Sequence, residues 1–180
     1  MSAGYEEAMK RLLILRHAKS GLAQQGGDDF DRPLSPRGRR AAPAIGRHMS
    51  SLGYRPDIVL CSPAVRTRQT WDLVRAELDV APIEEFRSEL YLAEAKTLLD
   101  AIRRCEDRSG CVLVIAHNPG ILTLALGLVG RGVKSANPFG KYPTGALTVF
   151  DFDCDRWEDI RPGEGQLVDY TRPKDIDSNA

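Results

Sequence analysis

Leu12-Leu13-Ile14-Leu15-Arg16-His17-Ala18-Lys19-Ser20 sets four aliphatic residues directly before an arginine, a histidine, a lysine and a serine. A short, unbroken apolar run has no polar face to offer water. It reads as a strand buried on both sides, as in a parallel sheet covered by helices. The cationic residues that end it then fall at the carboxyl edge of the sheet, where open α/β folds bind ligands. Taken alone, such a run is more often a core strand surfacing into a basic loop. Its weight comes from recurrence.

Asp57-Ile58-Val59-Leu60-Cys61 is a second strand of the buried type and runs into Ser62-Pro63. Cys111–Ala116 is the clearest strand of the chain and ends at His117-Asn118-Pro119. Helical periodicity fills the intervals. Ser35-Pro36 gives a cap followed by proline at the first helical position, with Ala42, Ile45, Met49 and Leu52 recurring to Gly53, which predicts a helix over 35–52. Ser62-Pro63 repeats the cap signal for a helix over 63–78, with Thr70, Leu73, Val74 and Leu78 on one face. Ile83–Phe86 reads as a short strand, Glu94–Glu106 as an amphipathic helix, and Pro119 opens a helix with a Leu122, Ala125, Leu126, Val129 stripe. Ala146–Phe152 and Trp157–Arg161 read as two strands joined by a turn, an antiparallel hairpin at one edge. The sum is a three-layer α/β/α sandwich on a mostly parallel sheet with an antiparallel edge strand. The predicted organisation is a polar N-terminal segment at 1–11, one domain at 12–162, and a polar, aperiodic, flexible tail at 163–180.

The chain's 180 residues suit a single domain, and 42% hydrophobic with 28% charged residues is a soluble globular balance. Lys and Arg total 25 and Asp and Glu 25, so nothing in the bulk charge points to nucleic acid or an anionic membrane. The cysteines at 61, 105, 111 and 154 form no CxxC pair, which argues for reduced thiols rather than a zinc site or a disulfide framework. No apolar run is long enough to cross a membrane, and the first residues lack the apolar core of a secretory signal, so the cytoplasm is the expected location.

The strand ends carry the chemistry. Arg16 and His17 follow the first strand, Arg66 lies in the first turn after the second, and His117 follows the Cys111–Ala116 strand. Two guanidiniums and nearby helix N-termini make a pocket for a dianionic phosphoryl group. A neutral imidazole there can act as a nucleophile as well as bind.

Arg16-His17, Ser62-Pro63-Ala64-Val65-Arg66-Thr67-Arg68-Gln69-Thr70 and Ile115-Ala116-His117-Asn118 resemble the histidine phosphatase superfamily, which includes the cofactor-dependent phosphoglycerate mutases and the acid phosphatases. Ala18 stands where that family usually has glycine. Arg16–Ser20, Asp31-Arg32-Pro33-Leu34-Ser35 and Pro143-Thr144-Gly145-Ala146 resemble its small SixA branch of phosphohistidine phosphatases. The resemblance implies that His17 is the nucleophile, forming a phosphohistidine intermediate that water hydrolyses. It implies that Arg16 and Arg66 clamp the phosphoryl oxygens with His117, that Arg32 is a further cationic contact, and that no metal or organic cofactor takes part. Lys19 and Ser20 would line the mouth. Larger members use a carboxylate after the third strand as general acid, and Glu89 is the nearest candidate.

The expected substrate is phosphohistidine in a protein, whose protonated imidazole leaves with less acid help than an alkoxide. The interval between Arg66 and His117 holds no cap domain, which suits a phosphate presented on a macromolecule or loosely recognised small phosphates. Two alternatives stand beside it: hydrolysis of small phosphomonoesters, and a non-catalytic phosphate-binding or docking module. Phosphate or sulfate would occupy such a site, and a monomer is expected. Asp151-Phe152-Asp153-Cys154-Asp155 opens like a calcium loop, but Arg156 and Pro162 stand where glycine and glutamate are needed. Asp28, Asp29 and Asp31 could compensate nearby arginines but read better as a solvated loop, His48 reads as surface, Trp71 and Trp157 as packing, and Arg37-Gly38-Arg39-Arg40 as a solvated face open to an acidic partner.

Overall fold

The structure is a computed structural model and describes residues 9–23, 26–133, 135 and 137–177. Among the described residues six strands form one sheet: β1 (Met9–Arg16), β2 (Ile58–Cys61), β3 (Ile83–Phe86), β4 (Cys111–Ala116), β5 (Leu147–Asp153) and β6 (Gln166–Thr171). Their order across the sheet is β3-β2-β4-β1-β5-β6. The first four are parallel, β5 runs against β1, and β6 runs against β5. The described residues also form the helices α1 (Pro36–Ser51), α2 (Val65–Arg75), α3 (Ala95–Arg103), α4 (Gly120–Leu128) and α5 (Pro173–Asp177).

The apolar runs lie where their lack of a polar face demands. Leu12 and Ile14 of β1 pack with α3 and α4, whereas Leu13 and Leu15 pack with α1 and α2 on the other face. All four are fully buried, each worth about 1.5–3 kcal/mol of transfer free energy. Ser35 caps α1 as its spacing predicts, its hydroxyl accepting from the Gly38 N–H at 3.2 Å. Trp71 and Trp157 are both fully buried. Among the described residues no helix is long and apolar enough to cross a membrane.

Several expectations are corrected. Residues 1–8 of the predicted polar segment lie outside the described residues, and β1 already begins at Met9. Trp157–Asp159 is a single 3-10 turn rather than a strand, because the indole turns into the core and its Nε1 donates to the Ser109 carbonyl at 2.8 Å. The true partner of β5 is β6, inside the segment read as a flexible tail, and α5 follows it. β5 and β6 form the expected antiparallel edge of the mostly parallel sheet, and secondary structure continues to Asp177. The stripe of α4 is also displaced: Ile121, Leu124 and Leu128 face the core, while Leu122 and Leu126 are only partly buried. A helix that is apolar all round does not announce its inner face.

Candidate active site

The parallel register sets the site. Arg16 pairs with Ala116, and Cys61 pairs with Ile115, so His17, Ser62 and His117 leave three neighbouring strands at nearly one level. The His17 and His117 rings come to 5.3 Å between centroids, and Ser62 Oγ lies 2.7 Å from His117 Nε2. The serine read as a helix cap thus binds the second histidine, and Ala64 takes the cap position of α2.

The Ser62–Thr70 stretch then divides its labour. Arg66, 3% exposed, enters from the first turn of α2. The Thr67 hydroxyl donates at 2.7 Å to the Ser62 and Ala64 carbonyls and ties the turn. Gln69 accepts from the Leu34 N–H at 2.8 Å and holds the 21–34 loop. Thr70 accepts from the N–H of Ala18 at 3.0 Å, fixing the residue after His17. Gly38 lets α1 approach this turn: a Cβ there would stand 2.1 Å from the Lys19 carbonyl oxygen.

These elements enclose a crevice of about 380 Å³ whose walls include Arg16, His17, Lys19, Ser20, Arg32, Arg66 and His117. Seven of the eight residues singled out from the sequence are therefore together. Glu89 is not among them. It sits half-exposed on a 3-10 turn (Ser88–Leu90), 3.8 Å from Arg104. Its place as general acid is not supported by this geometry.

Asp29, which from sequence reads better as a solvated loop residue than as a charge partner of nearby arginines, belongs to the site. Its carboxylate accepts from Arg32 Nη1 at 2.8 Å, Arg66 Nη2 at 2.9 Å and the Tyr91 hydroxyl at 2.8 Å, while its carbonyl accepts from Arg66 Nη1 at 2.6 Å. The Arg32 and Tyr91 hydrogen bonds hold its carboxyl far below the usual carboxylate range. Arg32, three residues on, is its local signal, whereas Arg66 and Tyr91 stand 37 and 62 residues away. Arg32 is further braced by the Ser20 hydroxyl and the Gly21 carbonyl, each at 3.0 Å from Nη2. Arg16 donates to the Tyr142 carbonyl at 2.8 Å, and Asn118 donates to the same oxygen at 3.2 Å. Tyr142 holds a left-handed backbone, φ 46°, a strained conformation for a large side chain and one that gathers at functional sites.

His17 Nδ1 lies 2.7 Å from the Ala18 carbonyl oxygen. A carbonyl only accepts, so Nδ1 carries the proton and Nε2 keeps its lone pair. Burial, aided by Arg66, Arg16 and Arg32, pushes the His17 pKa down to about 4. Burial and the cations around it push His117 to about 3. Both rings are neutral at pH 7, in a crevice where Lys19 and three arginines face one carboxylate. That excess of positive charge fits a dianion. His117 Nδ1 and Arg16 Nε are buried without a partner among the described residues, polar groups left over for a ligand.

Residues 12–88 match the model of the histidine phosphatase superfamily (branch 1). An uncharacterised protein of Mycobacterium tuberculosis is 35% identical over 89% of this chain and 100% of its own length. Two solved structures share the fold across nearly their whole length. One, a candidate phosphohistidine phosphatase SixA from Nakamurella, has a TM-score of 0.81 and 27% identity over 92% of this chain and 96% of its own. The other, a candidate SixA from Agrobacterium tumefaciens, has a TM-score of 0.79 and 29% identity over 91% and 98%. With paired histidines and converging arginines at the ends of adjacent parallel strands, the chain belongs to the histidine phosphatase superfamily.

Proposed function

We propose that this phosphatase hydrolyses phosphohistidine on proteins through a phospho-His17 intermediate. His17 Nε2 attacks phosphorus while the P–N bond to the substrate imidazole breaks. Protonated before cleavage, that imidazole departs as a neutral molecule. Water then attacks phospho-His17, giving inorganic phosphate and restoring the neutral ring. Arg16, Arg32 and Arg66 compensate charge on the equatorial oxygens, and most of the catalysis is positioning plus this compensation. Ser62 holds His117 through Nε2 at 2.7 Å, and the unpartnered, buried Nδ1 is left to meet the phosphoryl group.

The observation that carries the choice of substrate is the state of Asp29. Among the described residues it is the one carboxylate lining the crevice, and its two arginines and Tyr91 hold it ionised. It has no proton to give an alkoxide at neutral pH. An imidazole leaving group needs none. The open crevice, with no covering domain between Arg66 and His117, also suits a phosphate on a macromolecule. The test compares a histidine-phosphorylated phosphocarrier protein with an aryl phosphate, for wild type and His17→Ala. The reading predicts turnover of the phosphoprotein by wild type alone, at a kcat/KM well above that for the aryl ester. Turnover of the ester with none of the phosphoprotein would move the assignment to small phosphomonoesters. Phosphate binding without turnover of either would leave a binding module.

A further inference from the structure

A second groove, of about 240 Å³, opens beside the catalytic crevice and shares Lys19 and Thr144 with it. Arg37 from the first turn of α1 and Arg172 and Lys174 from the start of α5 bring its cations to four, and among the described residues no carboxylate lines it. Asp175 engages Arg172 from outside, Oδ2 accepting from Nε at 2.7 Å and Oδ1 from Nη2 at 2.9 Å. Arg37 and Lys19 have no acidic partner within ion-pair distance among the described residues. The net charge of the chain is zero, so this is charge gathered on one face rather than a bulk property.

The groove is held in place by close backbone packing. Gly145 has a left-handed backbone, φ 78°, and a Cβ there would stand 2.7 Å from Pro173 Cγ. The Gly145 N–H donates to the Arg16 and His17 carbonyls, both at 3.1 Å. The start of α5 thus presses on the segment directly behind the nucleophile, and Ile176 anchors it to the core. The crevice, at about 380 Å³, has room for a phosphoryl group without the groove. The exposed Arg37 and its neighbours therefore face whatever carries that group.

We propose that this groove docks an acidic segment flanking the phosphohistidine of a partner protein, a proposal that rests on the phosphoprotein reading above. The test uses two synthetic phosphohistidine peptides of equal length, one with glutamates and one with glutamines around the modified histidine. Wild type should favour the acidic peptide by roughly fivefold to tenfold in kcat/KM, chiefly through KM, the scale expected of a few exposed charge pairs. High salt should erase the preference. Arg37→Glu with Lys174→Glu should abolish or reverse it while leaving hydrolysis of phosphoramidate unchanged, and Arg37→Gln, the gentler change, should lose part of it. Equal rates for the two peptides with wild type, or a preference surviving in the double variant, would overturn the docking proposal alone. Failure of wild type to turn over either peptide, with phosphoramidate still hydrolysed, would overturn the phosphoprotein reading and this proposal with it.

Discussion

Burying two neutral histidines beside three arginines has a cost that appears as pH-dependent stability. The ordinary pKa of His17 is 6.5 and the folded value is about 4. Between those values the unfolded chain binds a proton that the folded chain refuses. Stability is therefore constant above pH 6.5, falls as the pH drops toward 4, and levels off below it. Lowering the pH from 7.5 to 5 should remove about 2 kcal/mol through His17 alone. His117, pushed down to about 3, acts in the same direction. Carboxylates titrate in the lower part of this range, so the assay is a difference of differences. Urea unfolding of wild type and His17→Gln is followed at both pH values. Wild type should lose about 2 kcal/mol more than the variant, which has no ring to protonate. Parallel losses in the two proteins would refute the claim that His17 is held neutral by its surroundings.

Other substitutions probe the remaining assignments. Glu89→Gln should leave kcat/KM on phosphohistidine within about twofold, since the side chain faces Arg104 rather than the crevice; a drop of two orders of magnitude would restore it as the acid. Ser62→Ala deletes the hydroxyl bound to His117 Nε2 at 2.7 Å, a bond worth about 1–2 kcal/mol, so kcat should fall roughly tenfold in steady-state assays while KM changes little. Gly120→Ala would place a Cβ 1.9 Å from the Ala93 carbonyl oxygen, a backbone atom unable to move aside. Thermal unfolding should show a loss of at least about 2 kcal/mol, the scale of overpacking in a tight core.

What the sequence made legible followed from the strength of local signals. Strands buried on both faces must be apolar throughout, so β1, β2 and β4 stood out, and the residues directly after them had to share one edge. That logic placed Arg16, His17, Arg66 and His117 together without a structure. Where one chemical group can do two jobs, the local pattern is silent. The Ser62 hydroxyl could cap a helix or bind an imidazole, and only the register of β2 against β4 decides between them. Asp29 has one near partner, Arg32, but Arg66 and Tyr91, which tie it to the site, are distant in the chain and invisible to spacing. β6 is an edge strand, largely half-exposed, and its polar composition reads as tail until its pairing with β5 is seen. Glu89 follows β3 closely in sequence, but nearness to a strand end does not by itself bring a side chain into the crevice, and here it meets Arg104.

The central claim is that His17 takes the phosphoryl group onto its own ring. The most direct test is rapid alkaline quenching of the protein during turnover of a ³²P-labelled phosphohistidine peptide, followed by isolation of the 180-residue chain and mapping of the label. The account predicts alkali-stable, acid-labile phosphate on His17, appearing before free phosphate and absent from His17→Ala. Steady turnover with no label on the chain, or label retained in His17→Ala, would contradict it.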